Sequence, residues 1–210
     1  MPRRIDYYFS MVSPWAGIGH AVFLDLVRRH DVAVTYKPVS LGEVFAETGG
    51  VPLPRRHPVR QRYRLFELQR WRQKRGLKLH IHPKNWPFNS ELPDRFVLAI
   101  VTTGQDPGRF MQEAFTAIWD KEENLADQAT LVRLADSVGL NGADLLVAAG
   151  MDATRAAYQQ NLNDALAADV FGSPSYVLDG EVFWGQDRLE LLDDALTSKR
   201  PPYRPEFDAR

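Results

Sequence analysis

Cysteine is absent from all 210 residues. No disulfide framework is available, and thiol–disulfide exchange through the protein's own side chains is excluded. The absence fits a reducing compartment, and a cytoplasmic location is expected. Long apolar runs are also missing: none approaches the ~20 residues needed to cross a bilayer, so no membrane span is expected. The N-terminus turns acidic at Asp6 before any apolar run, unlike a signal peptide. No charge of one sign dominates, with 26 Lys and Arg against 27 Asp and Glu. That balance gives no case for nucleic acid or an anionic membrane surface. The local exception, Arg55, Arg56, Arg60, Arg62 and Arg64, reads as a solvated helix face, with binding of an acidic substrate as the alternative. Metal ligands are scarce: His80 and His82 form a pair without a nearby carboxylate, so no metal is expected. Internal repeats and low-complexity segments are absent.

What remains is an ordinary globular composition, 44% hydrophobic and 25% charged. The length suits one domain, or one domain carrying a large insertion. Residues 5–9 read as an aromatic-rich strand, 14–29 as a helix with apolar residues three or four apart, and 32–38 as a second strand. Strand, helix, strand implies a right-handed parallel unit. The alternation then stops. Segments 41–48, 58–75, 91–104, 107–120, 127–138 and 142–168 all carry helical spacing, the last interrupted near Gly150. Strands return at 175–178 and 181–184, joined by Asp179-Gly180, a tight-hairpin signal. A final helix spans about 187–197. Phe66, Trp71, Phe96, Phe110, Phe115 and Trp119 are expected mostly to pack between helices.

Three short elements carry possible chemistry. Ser13-Pro14 places Ser at a helix N-cap and Pro at the first helical position. A cap side chain lies beside free backbone N–H groups and the positive end of the helix dipole, where an anion such as a thiolate is favoured. Phe171-Gly172-Ser173-Pro174 runs into a strand. A cis bond before Pro174 would leave the Ser173 N–H and C=O facing the Ser13 helix, ready to pair with an extended peptide. Trp184-Gly185-Gln186-Asp187-Arg188 is a strand end, turn and helix start. Its N–H groups would hold a carboxylate and Asp187 an ammonium. Each element also has a plain structural reading: a helix cap, a strand-initiating proline, and a capping Asp beside a solvent-facing Arg. Jointly they describe a site for a thiolate, a peptide backbone and a zwitterionic amino-acid end, which is glutathione.

The order βαβ, helical block, ββα is that of a thioredoxin-like α/β fold with a helical domain inserted. The expected division is 1–40 with 169–200 as the thioredoxin-like part, 41–168 as the insertion and 201–210 as a tail. The chain resembles 2-hydroxychromene-2-carboxylate isomerases and, through them, kappa-class glutathione transferases and the DsbA-like thioredoxin superfamily. The resemblance runs from about residue 5 to 197. Its anchors are Tyr8-Phe9-Ser10-Met11-Val12-Ser13-Pro14-Trp15, Leu41-Gly42-Glu43-Val44-Phe45, Leu68-Gln69-Arg70-Trp71, Phe171-Gly172-Ser173-Pro174 and Phe183-Trp184-Gly185-Gln186-Asp187-Arg188-Leu189. It implies that Ser13 contacts the glutathione sulfur and that Ser173, beside Pro174, pairs its backbone with the cysteinyl part. It further implies that Gly185, Gln186 and Asp187, after Trp184, hold the γ-glutamyl end. The aromatic substrate would lie near Phe45, Gly50, Asn85 and Trp86, and a homodimer is implied. The chain departs from its relatives at Gly49-Gly50-Val51-Pro52, where they often carry Asn, and at Ser173, where they tend to have Val. The implied activity is glutathione-dependent cis–trans isomerisation of an aromatic hydroxychromene carboxylate. The alternatives are a kappa-like transferase and a non-catalytic peptide-binding module.

Overall fold

A parallel unit opens the computed structural model, which describes residues 3–205. Strand β1 (Arg4–Phe9) leads into helix α1 (Pro14–His30), and the chain returns as β2 (Ala33–Pro38), parallel to β1. The hairpin of β3 (Ser175–Leu178) and β4 (Glu181–Trp184) closes the sheet in the order β2-β1-β3-β4. Its turn residues Asp179 and Gly180 both have positive φ, the geometry that the right-handed strand twist selects for tight hairpins. β3 runs antiparallel to β1, with Tyr7 opposite Tyr176.

Strand alternation divides the sheet's side chains between two faces. Ile5, Tyr7, Phe9, Tyr176 and Leu178 join Phe23 and Leu26 of α1 in the main core. Tyr7 stacks on Tyr176 at 5.1 Å between ring centroids and meets Phe23 at 4.6 Å. Tyr8 and Val177 lie in a second cluster with Val44, Leu162 and Ala165.

Seven helices separate β2 from β3: α2 (Leu41–Thr48), α3 (Pro58–Arg75), α4 (Glu91–Thr102), α5 (Gly108–Trp119), α6 (Gln128–Ser137), α7 (Gly142–Ala149) and α8 (Asp152–Ala167). The break expected near Gly150 falls between α7 and α8. Asp127 and Asn141 cap α6 and α7 by accepting from the N–H groups of Thr130 and Asp144. α9 (Leu189–Ser198) packs on α1. Two single 3-10 turns, Leu53–Arg55 and Gln186–Arg188, were not anticipated; a segment of three residues is too short to show a period. The second replaces the first turn of the expected helix at 187–197.

The core joins the sheet to the helical segment: Phe96, Phe110, Phe115 and Trp119 are buried in the cluster that holds Tyr7. Phe66 is the exception among the helical aromatics. It is 57% exposed on the outer face of α3. Among the described residues no helix is long and apolar enough to cross a membrane. The architecture is the expected thioredoxin-like α/β fold with a helical insertion.

Candidate active site

Ser13 sits where β1 has ended and α1 begins. Its backbone is extended (φ −80°, ψ 118°), and its Oγ accepts from the Ala16 N–H at 3.3 Å. Pro14 has no N–H to offer, and the Gly17 N–H goes to the Ser13 carbonyl. Among the described residues the free donor left in the first turn is therefore the Trp15 N–H, not the several that an unmodified helix start would leave. Ser173 reaches the same spot from the other end of the chain, and its bond to Pro174 is cis. The Ser13 hydroxyl donates to the Ser173 carbonyl at 3.3 Å. The expectation of an unpaired Ser173 backbone is corrected for this carbonyl: the nearest hydroxyl has claimed it. The Ser173 N–H has no partner among the described residues.

The turn between β1 and Ser13 is held by side chains that sequence reasoning did not single out. Asp94 on α4 is fully buried. Its carboxylate accepts from the Met11 N–H at 2.7 Å, the Ser10 hydroxyl at 2.9 Å and the Tyr158 hydroxyl at 3.1 Å. Burial raises its pKa to about 7, against the lowering effect of those hydrogen bonds. The available signal was an acid just before the apolar stretch Phe96–Ile100, where a charge is costly unless it is bonded. Ser173 adds a further tie: its Oγ accepts from the Ser10 N–H at 3.2 Å, which a valine could not do. Trp86 adds another, donating from Nε1 to the Val12 carbonyl at 2.8 Å.

The third element follows β4. Gly185 has φ +106°, a region that side-chain-bearing residues rarely adopt. Its N–H donates to the Pro174 carbonyl at 2.8 Å, which fastens this turn to the Ser173 loop. Gln186 is buried against α1, with Oε1 accepting from Arg75 at 3.2 Å. Its side chain is thus committed to the interior. The groups this turn can present are backbone N–H groups and Asp187, because the first residues of a 3-10 turn have no intrahelical acceptor. Asp187 accepts from its neighbour Arg188 at 2.6 Å, and both side chains are substantially exposed. Trp184 is half exposed, packed against Phe171 at 4.6 Å between centroids. Its indole lies so close over Gly172 that a Cβ there would collide with it.

The residues named for the substrate side divide. Trp86 joins the Ser13 turn. Asn85, one position earlier, points elsewhere and donates to the Glu122 carbonyl at 2.7 Å. Phe45 and Gly50 contact each other, the ring lying against the glycine. Among the described residues no three His, Asp or Glu side chains are grouped to hold a metal ion, but Glu122 lies 4.0 Å from His80 Nδ1 and approaches Lys84 at 3.8 Å. Sequence separation of about forty residues hid it. In the arginine cluster Arg55, Arg60 and Arg62 are exposed, but Arg56 and Arg64 are half-buried.

The chain is 28% identical over 198 residues to the 2-hydroxychromene-2-carboxylate isomerase of Sphingobium xenophagum, covering 93% of this chain and 99% of that one. It is 26% identical over 215 residues to glutathione S-transferase kappa 1 of Caenorhabditis elegans, covering 96% and 95%. A solved structure of a 2-hydroxychromene-2-carboxylate isomerase has the same fold, with a TM-score of 0.82 at 24% identity over 93% of this chain and 95% of that one. The family model for the DSBA-like thioredoxin domain matches residues 4–197. The chain belongs to the DsbA-like thioredoxin-domain family.

Proposed function

We propose that this protein is a glutathione-dependent cis–trans isomerase acting on a 2-hydroxychromene-2-carboxylate-like aromatic compound. The observation that carries the reading is the Ser13 hydroxyl. It stands at the start of α1, 3.3 Å from the Ser173 carbonyl, in a chain with no thiol of its own. Relatives named as isomerases and as a kappa transferase support an isomerase-like or transferase-like enzyme of this family.

The residues present fit glutathione. The Ser13 hydroxyl has one hydrogen, now on the Ser173 carbonyl. Turned toward a sulfur, it donates to a thiolate and frees that carbonyl to accept a peptide N–H. The unpartnered Ser173 N–H then donates to the peptide's carbonyl, as an added strand would require. The Trp15 N–H and the α1 dipole favour the negative charge. The N–H groups of Gln186 and Asp187 face a carboxylate, and the Asp187 side chain takes an ammonium in exchange for Arg188. Bound glutathione supplies a thiolate that adds reversibly to a conjugated enone, making the double bond a rotatable single bond until elimination restores it. No electrons are gained or lost, which suits a protein without cysteine.

The kappa-like transferase shares every one of these contacts and is favoured by the likeness to the nematode enzyme. Product analysis separates the two. The purified protein is incubated with glutathione and a hydroxychromene carboxylate, and the mixture is resolved by liquid chromatography, with absorbance to tell the isomers apart and mass to detect a conjugate. Isomerisation returns glutathione unchanged and accumulates the trans isomer of the ring-opened compound. A stable conjugate would favour the transferase, and no turnover of any kind would overturn both.

A further inference from the structure

The arginines of α3 have distinct fates. Arg70 pairs with Glu67, Arg72 donates to the Leu79 carbonyl at 3.1 Å, and Arg75 donates to Gln186. Arg60 and Arg62 are exposed to water. Arg64 has neither arrangement. It is half-buried, and among the described residues it makes no hydrogen bond and no ion pair. Its guanidinium instead lies over the ring of Trp86, 4.9 Å from the centroid. That same ring donates its N–H to Val12, the residue before Ser13. A second half-buried cation stands near it: Arg56, whose Nε donates to the Val51 carbonyl and which has no acidic partner among the described residues.

The electrostatics agree with this geometry. Burial, with the like charge of Arg56, lowers the Arg64 pKa to about 10, so the group stays charged at neutral pH without a counter-charge. Arg56 is lowered too, by burial and by Arg60. A dehydrated cation with no partner is costly, and an arriving anion recovers that cost. A guanidinium stacked on an aromatic ring keeps its planar N–H edge free, and that edge matches a carboxylate with two parallel hydrogen bonds.

We propose that Arg64, supported by Arg56 and the face of Trp86, forms a carboxylate-binding subsite beside the Ser13 turn. The inference rests on Ser13 as the reactive centre only for its role in turnover, since the subsite itself is a matter of binding. Two carboxylates have the right chemistry: one conjugated to an aromatic substrate, and the glycyl carboxylate of glutathione.

Calorimetry with unreactive probes tests the subsite and names its source. Cinnamate and cinnamamide are titrated into the full-length protein and into the Arg64→Gln variant, as are glutathione and its glycyl amide. Circular dichroism confirms that the variant is folded, and Arg64→Lys serves as a partial-rescue variant. Loss of about 10- to 100-fold in cinnamate affinity on Arg64→Gln, with cinnamamide unchanged, assigns the subsite to the aromatic acid. The same loss for glutathione but not for its amide assigns it to the glycyl end. Both results uphold the subsite. Equal effects on acid and amide would overturn it, as would failure of both acids to bind the native protein at millimolar concentration. Glutathione failing to bind while cinnamate binds through Arg64 would overturn the proposed function and leave the subsite standing.

Discussion

The Ser10–Ser13 turn and the Gly185–Arg188 turn face the same candidate site but are secured in different ways. The first is fastened from Asp94, Trp86 and Ser173, which come from three separate parts of the chain. Ser10, Met11 and Ser13 are buried. The second is fixed at Gly185, tied to Pro174, and at Gln186, tied to Arg75, but its acidic side chain is held only by the adjacent Arg188. A group that must sit within hydrogen-bond reach of a developing charge gains from being fixed before the ligand arrives. A group that recognises the charged end of a flexible peptide can exchange one exposed partner for another at little cost.

The largest effect should come from unfastening the first turn. Asp94→Ala leaves the Met11 N–H and the Ser10 and Tyr158 hydroxyls without their acceptor. It is expected to destabilise the protein by about 3 kcal/mol in urea unfolding. The native Asp94 also gives a pH signature. Its folded pKa of about 7 lies above the ordinary carboxylate value of about 4. The stability linked to this group is therefore fully present below pH ~4, declines as pH rises toward ~7 and is level above that. Asp94→Asn should flatten that part of the pH profile. An unchanged profile would show that the Asp94 pKa is the same in the folded and the unfolded protein. The groups that act on this network are Tyr158, whose pKa burial and Asp94 both raise, and Glu43 and Glu91, whose charges raise it further.

Ser13→Ala comes next. Loss of one hydrogen bond to an anion should raise the thiol pKa of bound glutathione and lower turnover at neutral pH about 10- to 100-fold. The variant remains folded, because the lost cap costs about 1 kcal/mol. An unchanged thiol titration would remove Ser13 from the chemistry. Ser173→Val should be milder. The Ser10 N–H loses its acceptor, stability falls by about 1 kcal/mol, and glutathione affinity is retained because the peptide pairs with backbone atoms. A large loss of affinity would mean that the side chain, not the backbone, meets the peptide. The smallest effect is expected at the open turn. Asp187→Asn should weaken glutathione binding about fivefold at most and leave the thiol pKa alone. A change in that pKa would erase the division of labour between the two turns.

Local signals made much of this legible in the sequence. Ser13-Pro14 announced the start of α1, Asp179-Gly180 the hairpin, and Gly49, Gly76 and Gly139 the helix ends, each through a conformational preference of one or two residues. Helical spacing, closed off by Gly49 and Gly76, matches α2 and α3. The parts that stayed hidden depend on distance in the chain. Asp94 meets Met11 across 83 positions, Glu122 approaches His80 across 42, and Arg64 meets Trp86 from another segment. Arg64 and Phe66 exchanged their expected places. The arginine in a row read as a solvated face is half-buried, and one aromatic of a set expected mostly inside is exposed. Helical spacing states which residues share a face, but not which face the rest of the chain covers.

Glutathione titrated into the native protein by calorimetry, with thiolate absorbance followed across pH in the same samples, decides whether Ser13 marks a thiolate site. Binding accompanied by a thiol pKa well below that of free glutathione is the expected result. No binding at millimolar glutathione, or binding with the thiol still protonated at neutral pH, would contradict it.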